Sequence, residues 1–191
     1  MALFETSEIN SSPEDVFFLE NEEGGIAVIC KSPQKLDRLV SSIKPGISIH
    51  YVSDGDWSTH DLIMRLLQVY KPAELIFTTY ALRELAVRQI ILSQAAGDIT
   101  SVKMLIDHRA QVRVPEVYQL ASNNFNDIKL TGIHAKVCVL KSPAGSLAIV
   151  GSSNWTSNPR VEAGVITMQP EIVDFHYSWI NKMLENAEIF K

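Results

Sequence analysis

Hydrophobic positions recur with two different spacings along the first two thirds of the chain, and the two spacings alternate. Short apolar runs, which are typical of strands, lie at 25–30, 47–52, 74–79 and 102–107. Segments with apolar residues three or four positions apart, which are typical of helices, lie at 33–43, 58–70, 82–94 and 115–122. Strands that alternate with helices predict an α/β sheet with helices on its faces.

The pattern changes near residue 127, where strand-like segments follow one another with short loops between them. These segments lie at 127–130, 133–140, 147–150 and 161–168, and a final helix is predicted over 170–187. We interpret residues 61–191 as the main domain. Residues 1–60 form an acidic N-terminal segment, whose predicted strand, helix and strand either extend the same sheet or form a small adjunct.

Composition and charge narrow the class of protein. The chain has 191 residues, of which 46% are hydrophobic and 20% charged, as expected for one globular domain. The net charge is −5, but residues 101–165 carry seven basic and four acidic residues. This local surplus is too small for a broad, sequence-independent nucleic-acid clamp, which is usually more basic.

Two further features bear on the compartment. No apolar run reaches the roughly 18 residues that a membrane helix needs, and the N-terminus lacks the basic and apolar regions of a secretory signal. Cys30 and Cys138 are too few for a disulfide scaffold. We therefore expect a cytoplasmic protein without membrane attachment, in which both cysteines are buried thiols.

The segment GIHAKVCVL at 132–140 carries the first candidate chemistry. Side chains alternate along a strand, so His134 and Lys136 are expected on one face. The other face would be apolar and suited to the core, with Ile133, Ala135, Val137 and Val139. A histidine can act as nucleophile or proton carrier, and a lysine beside it can hold an anion.

The segment GSSNWTS at 151–157 carries the second group of candidate functional residues. Gly151 permits a tight turn after a strand, and Ser152, Ser153 and Asn154 offer uncharged donors that suit a phosphate oxygen. Glu162, eight residues after Asn154, can orient an imidazole N–H. The alternative interpretation is an ordinary polar turn followed by a surface carboxylate.

Together, H-x-K, a hairpin, G-S-x-N and a later glutamate resemble the signature of the phospholipase D superfamily, from about Asp61 to Lys191. The resemblance implies a mixed β-sheet flanked by helices on both faces. It implies that His134 attacks phosphorus and forms a phosphohistidine, without metal or cofactor. Lys136 and Asn154 would bind the phosphate oxygens, Ser152 would support the pocket, and Glu162 would hydrogen-bond the histidine.

The chain departs from the family pattern in two places. Lys141 stands where the family has an aspartate, five residues after the lysine, and the following hairpin is three residues longer, at 142–146. In the family that aspartate is the least direct participant in the phosphorus chemistry. Lys141 is nevertheless the main argument for an alternative function, a nucleic-acid-binding or assembly module that keeps the phosphate pocket without turnover.

The chain contains one H-x-K motif, because none of the other four histidines begins one. In the family, members with one motif build their site from two identical subunits. One histidine is then the nucleophile and the other protonates the leaving oxygen, which needs two histidines in opposite protonation states. A two-fold homodimer with the site across its axis is therefore expected.

The resemblance to small single-motif members predicts a nuclease that hydrolyses nucleic-acid phosphodiester bonds, with DNA rather than RNA as the expected substrate. Further substrate contacts are expected from Ser153, His108, Arg109 and Trp155, the last by stacking on a base. The alternatives are a solvated loop for His108 and Arg109 and core packing for Trp155. No metal is expected, because His134 and Cys138 on one face supply too few ligands.

Overall fold

The computed structural model describes residues 18–20, 25–30, 33–53, 55, 57–156 and 160–186. The rest of the expected N-terminal segment 1–60 lies outside the described residues. Within them the strands are β1 (Phe18–Glu20), β2 (Gly25–Cys30), β3 (Ser48–Ser53), β4 (Ala73–Thr79), β5 (Ile99–Asp107), β6 (Asp127–Thr131), β7 (Val137–Ser142), β8 (Gly145–Gly151) and β9 (Glu162–Thr167). The helices are α1 (Pro33–Ser41), α2 (Thr59–Tyr70), α3 (Glu84–Ala95), α4 (Ala110–Arg113), α5 (Pro115–Ser122) and α6 (Pro170–Asn186).

All nine of these strands belong to one sheet, in the order β1-β2-β3-β9-β8-β7-β4-β5-β6. β4, β5 and β6 are parallel to one another, and β2 is parallel to β3. β7 is antiparallel to β4 and β8, and β9 is antiparallel to β8 and β3. The expected α/β class with a mixed sheet is therefore confirmed.

Two clusters of buried apolar residues form the core. Helices α1, α2, α3 and α5 contribute to the larger cluster, and α6 contributes to the smaller one. Along β4, Leu75 and Phe77 belong to the first cluster and Ile76 belongs to the second. Because successive residues of a strand point to opposite faces, the two clusters lie on opposite sides of β4.

The strand directions bring the candidate residues to one edge of the sheet. β4, β5, β6 and β8 end at this edge, whereas β7 and β9 begin there. The segments around His108, His134, Asn154 and Glu162 adjoin these strand ends. Open α/β sheets bind ligands at such an edge, outside the carboxyl ends of parallel strands.

Most predicted element bounds agree with the structure to within about three residues, but the motif strand differs. Its regular pairing begins at Val137 rather than at Ile133. Upstream, Ala135 is exposed, so its predicted place on a core-facing strand face is wrong. The strand begins late because a side chain takes the hydrogen bonds of a neighbouring backbone. The Thr78 hydroxyl donates to Ala135 O at 2.9 Å and accepts from Val137 N at 3.1 Å.

Candidate active site

His134 and Lys136 meet in the extended segment before β7. Lys136 Nζ lies 3.0 Å from His134 Nδ1 and 3.3 Å from His134 Nε2, and it donates to the His134 carbonyl at 2.6 Å. The ammonium therefore faces the ring edge between the two nitrogens. An ammonium only donates, so one ring nitrogen can accept from it, and the tautomer of His134 decides which one.

The two side chains differ in exposure. His134 is exposed, whereas only 9% of Lys136 is accessible. Burial lowers the pKa of Lys136, and the negative charge of Glu162 partly opposes this shift. Within the described residues, no carboxylate lies within ion-pair distance of the Lys136 ammonium. A buried cation without a direct counter-ion attracts an incoming anion strongly.

The last two residues of β4 hold both motif segments in place. Thr78 anchors the His134 segment through Ala135 and Val137. The Thr79 hydroxyl oxygen accepts from Trp155 N at 3.5 Å and lies 3.5 Å from Asn154 Oδ1. Both threonines are fully buried, so neighbouring residues of one strand fix the relative position of H-x-K and G-S-x-N.

Gly151 begins the second motif and is joined to the first, because its N–H donates to the Lys136 carbonyl at 3.0 Å. A methyl group on Gly151 would lie 3.2 Å from both Ala163 O and the Tyr51 hydroxyl oxygen. Its φ is not in the left-handed region. Glycine is therefore favoured here by the close approach of β9 and Tyr51 rather than by a left-handed backbone conformation.

Glu162 contacts the second motif rather than the histidine of its own chain. Ser152 Oγ donates to Glu162 Oε2 and accepts from Ala163 N at 3.1 Å. In the sheet, β8 separates β9 from β7, whereas the described contacts of the His134 side chain are with Lys136 and Tyr80. Ser152 and Glu162 thus join the second motif segment to the start of β9.

Ser153 and Asn154 are half-buried, and Trp155 is in the core. The Ser153 carbonyl accepts from Thr59 Oγ1 at 3.2 Å, which ties this loop to the start of α2. Trp155 is 1% exposed and stacks on Phe77 with ring centroids 4.1 Å apart. The expectation that Trp155 stacks on a base is therefore wrong, because its side chain is buried and its ring face packs on Phe77.

At the end of β5, Asp107 and Arg109 form a fixed pair. Asp107 is 1% exposed and accepts from Arg109 Nε at 2.7 Å and from Arg109 Nη2 at 3.1 Å. These side-chain hydrogen bonds hold the pKa of Asp107 below its ordinary value. His108 is exposed, with Nδ1 4.0 Å from Asp107 Oδ2. The two hydrogen bonds to Asp107 therefore orient the Arg109 guanidinium at this edge of the sheet.

Tyr80 and Arg113 adjoin the site although neither was predicted to contact substrate. The Tyr80 ring lies 4.9 Å from the His134 ring. The Arg109 guanidinium lies 4.6 Å above Tyr80, and Arg113 Nη1 donates to the Tyr80 hydroxyl at 3.0 Å. Tyr80 could have been found from the sequence, because it directly follows a buried strand. Arg113 could not, because α4, which carries it, is too short to show helical periodicity.

Lys141, the departure from the family pattern, lies away from His134. It is in register with Glu74 near the beginning of β4, at the opposite edge of the sheet. Its ammonium pairs with Asp174 at 2.9 Å and lies 4.0 Å above the Tyr177 ring. Along β7, the step from Val137 to Lys141 covers about 13 Å. The substitution is therefore accommodated by α6 and does not alter the candidate site.

A small, partly open pocket is lined in part by Lys136. Its lining includes Tyr51, Thr59, Cys138 and Ser153. The Cys138 thiol is fully buried, which raises its pKa. In the described part of the chain, no group of three or more His, Cys, Asp or Glu residues is placed to hold a metal ion. Likewise, none of the described helices is long and apolar enough to cross a membrane.

No family model and no curated protein matches the chain. Polyphosphate kinase from Porphyromonas gingivalis is similar in structure, with a TM-score of 0.53 and 16% identity over 74% of this chain and 26% of that one. TrmBL2, an archaeal chromatin protein with a novel mode of DNA binding, has a TM-score of 0.50 and 10% identity over 82% of this chain and 60% of that one. The chain thus spans about a quarter and three fifths of these two proteins. At such identities the likeness to both proteins concerns the fold alone.

Proposed function

We propose that this protein is a metal-independent phosphodiesterase that hydrolyses nucleic-acid phosphodiester bonds, with DNA as the expected substrate. In this proposal residues 61–191 are a phospholipase D-like catalytic domain, with a mixed sheet flanked by helices on both faces. The observation that carries the proposal is the contact between exposed His134 and buried Lys136 at the sheet edge, next to the G-S-x-N segment.

The reaction proceeds in two steps. An unprotonated nitrogen of His134 attacks phosphorus, the bond from phosphorus to the leaving oxygen breaks, and a second histidine gives that oxygen a proton. The second histidine then takes a proton from water, the resulting hydroxide attacks phosphorus, and the phosphorus–nitrogen bond breaks. Each histidine returns to its starting protonation state, so water is the only co-reactant.

The residues around His134 support the charge that develops on the phosphate. Lys136 contributes a cation from a nearly water-free position, where its attraction for an anion is strong. Asn154 contributes an uncharged donor from the neighbouring segment, in which the Trp155 N–H donates to the Thr79 hydroxyl oxygen. The Ser152–Glu162 pair fixes the loop between these groups, and we assign it a supporting role rather than contact with the reacting atoms.

Because one chain contributes one H-x-K motif, the proposal requires a homodimer. The proton donor for the leaving oxygen is then His134 of the partner subunit. A two-fold axis near His134 would place two Lys136 ammonium groups beside one phosphodiester. Their combined charge would stabilise a phosphorane-like transition state better than the singly charged ground state.

A second candidate function is a nucleic-acid-binding or assembly module without turnover. The likeness to a chromatin protein that binds DNA favours it, but that likeness concerns the fold alone. Lys141 was the main sequence argument for such a module. This residue lies at the far edge of the sheet from His134, so it gives no reason to expect a loss of turnover. The intact His134–Lys136 contact favours the enzyme.

The test is hydrolysis in the presence of EDTA. The purified chain is incubated with plasmid, single-stranded DNA, RNA and bis(4-nitrophenyl) phosphate. We expect hydrolysis by the wild type, loss of at least about a hundredfold in His134→Ala, as for removal of a nucleophile, and no loss in the matched control His50→Ala. His50 is an exposed residue within β3.

Acid- and alkali-quench experiments identify the intermediate. A label transferred from a substrate that leaves phosphorus on the protein should be stable in alkali and lost in acid, as a phosphorus–nitrogen bond is. Hydrolysis that stops in EDTA and returns with magnesium would refute the proposal. Full activity of folded His134→Ala would refute it as well.

A further inference from the structure

We infer that Tyr80, Arg109 and Arg113 form a second anion subsite, which holds the phosphate next to the scissile one in a polynucleotide strand. This inference rests on the proposed function and names its substrate class. The subsite lies on the β4–β5 side of His134, where Tyr80 follows β4 and Arg109 follows β5. It would favour a strand with successive phosphates over a diester with only one.

The cluster is cationic and directly beside the nucleophile. The Tyr80 ring lies 4.9 Å from the His134 ring, and the Arg109 guanidinium lies 4.6 Å from the Tyr80 centroid. These two distances keep the guanidinium within about 10 Å of the His134 ring. A phosphate held by Arg109 can therefore belong to the same strand as one that His134 attacks.

The two arginines differ in how they are held. Arg109 is fixed by Asp107 through Nε and Nη2, which leaves Nη1 outside this pair. Arg113 is exposed, and its described hydrogen bond goes to the neutral hydroxyl of Tyr80. No described carboxylate lies within ion-pair distance of Arg113. Its charge is therefore available to an anion from solvent.

Tyr80 acts as the support of this subsite rather than as a platform for a base. Its ring already contacts the Arg109 guanidinium and the His134 imidazole, and its hydroxyl accepts from Arg113. The Arg109 guanidinium stacks on the ring and gives its Nε–Nη2 edge to Asp107, so Nη1 is the part of it that can donate to a phosphate oxygen. The arrangement thus presents donors in fixed directions and lowers the entropy lost on binding.

Binding, measured without turnover, tests the subsite. A fluorescein-labelled single-stranded DNA is titrated into His134→Asn protein by anisotropy, at several salt concentrations. Adding Arg113→Ala should weaken binding about tenfold, as for the loss of one charge-assisted hydrogen bond. It should also reduce the slope of log affinity against log salt by about 0.7, the value for one single-strand phosphate contact.

Three further variants serve as controls. Lys44→Ala, in the same background, removes an exposed charge just before β3 at the opposite edge and should change neither quantity. Arg113→Lys should retain the salt slope but bind more weakly, because it loses the planar fork. Tyr80→Phe should give an intermediate loss, since it removes the hydroxyl that receives Arg113.

The outcomes separate the subsite from the proposed activity. If Arg113→Ala and Lys44→Ala behave alike, or if the His134→Asn protein does not bind the strand, the subsite is overturned, even when bis(4-nitrophenyl) phosphate is hydrolysed. If Arg113→Ala loses binding and slope while no diester is hydrolysed, the subsite stands and the phosphodiesterase is overturned. Circular dichroism of each variant confirms that it is folded.

Discussion

Lys136 is a nearly buried cation whose hydrogen bonds go to the ring and carbonyl of one residue, His134. Burial lowers its pKa, because the charged form loses hydration. In the proposed function the charged form is the one that binds phosphate. As pH rises, Lys136 therefore loses its proton, and its function, earlier than an ordinary lysine with a pKa of 10.5.

The pH profile of hydrolysis should show this directly. We expect kcat/KM of the wild type, measured on bis(4-nitrophenyl) phosphate, to fall on an alkaline limb that begins below pH 10.5. Lys136→Arg stays charged over this range, so its profile should lack that limb while its plateau is lower, since the fork geometry differs. An identical alkaline limb in both proteins would show that another group titrates.

Some residues of the candidate site could be predicted from the sequence and others could not. His134, Lys136 and Asn154 could be chosen from the sequence because their spacing is tied to one strand and one hairpin. Trp155 could not, because a tryptophan beside a polar loop looks the same in sequence whether it faces solvent or packs on Phe77. Arg113 could not either, since its contact with Tyr80 joins residues 33 positions apart.

At the scale of elements, the carboxyl end of β4 organises the site. Thr78 and Thr79 adjoin the two motif segments, so the strand end acts on both through side-chain hydroxyls. The sequence predicts β4 and β8 because each contains a short continuous apolar run, Leu75–Phe77 and Leu147–Val150, bounded by polar residues or glycine. It does not predict that the H-x-K strand starts late, because a threonine from another strand replaces the backbone partner there.

Thr78→Val tests this role. It keeps the shape but leaves Ala135 O and Val137 N without the hydroxyl, so the free energy of unfolding should fall by about 1–3 kcal/mol. Displacement of His134 should lower kcat about tenfold or more, as for a misplaced reacting group, while KM changes less. Thr78→Ser should restore both. Loss of stability with unchanged kcat would limit Thr78 to a structural role.

Lys141 provides the opposite case, a motif position without a catalytic task. Lys141→Ala removes the ion pair with Asp174 and the contact with Tyr177, both at the edge remote from His134. We expect kcat/KM within about twofold of the wild type and a loss of at most about 1 kcal/mol in unfolding free energy, as for a surface ion pair. A large fall in kcat/KM without unfolding would show that Lys141 reaches the site.

At the scale of the whole molecule, the candidate site has the groups for one half of the reaction. In the proposed reaction His134 supplies the nucleophile, but none of the other histidines begins a second H-x-K motif. The proposal therefore takes the proton donor from a second copy of the chain. The sequence predicts this need by counting motifs, whereas the surface through which two copies meet depends on shape and is not encoded in any short pattern.

Mixed dimers test the shared site. Two differently tagged subunits, wild type and His134→Ala, are co-expressed and the heterodimer is purified. Because one shared site needs both histidines, its activity should fall to below about a tenth of the wild type. A heterodimer with His50→Ala is the control. Half activity, or sedimentation as a monomer of 21.3 kDa, would contradict a shared site.

The pairing of β3 with β9 constrains the order in which the strands of the sheet can fold. Ser53 is in register with Glu162, so the chain must close a loop of more than a hundred residues before the two parts of the sheet join. β4, β5 and β6 pair with near neighbours and can form early, whereas such distant pairing slows folding. In pulsed hydrogen exchange during refolding, we expect β3 and β9 amides to be protected together and after those of β4 and β5. Because Glu162 begins β9, the site would then be completed in the final phase of folding, and a partly synthesised chain would be inactive.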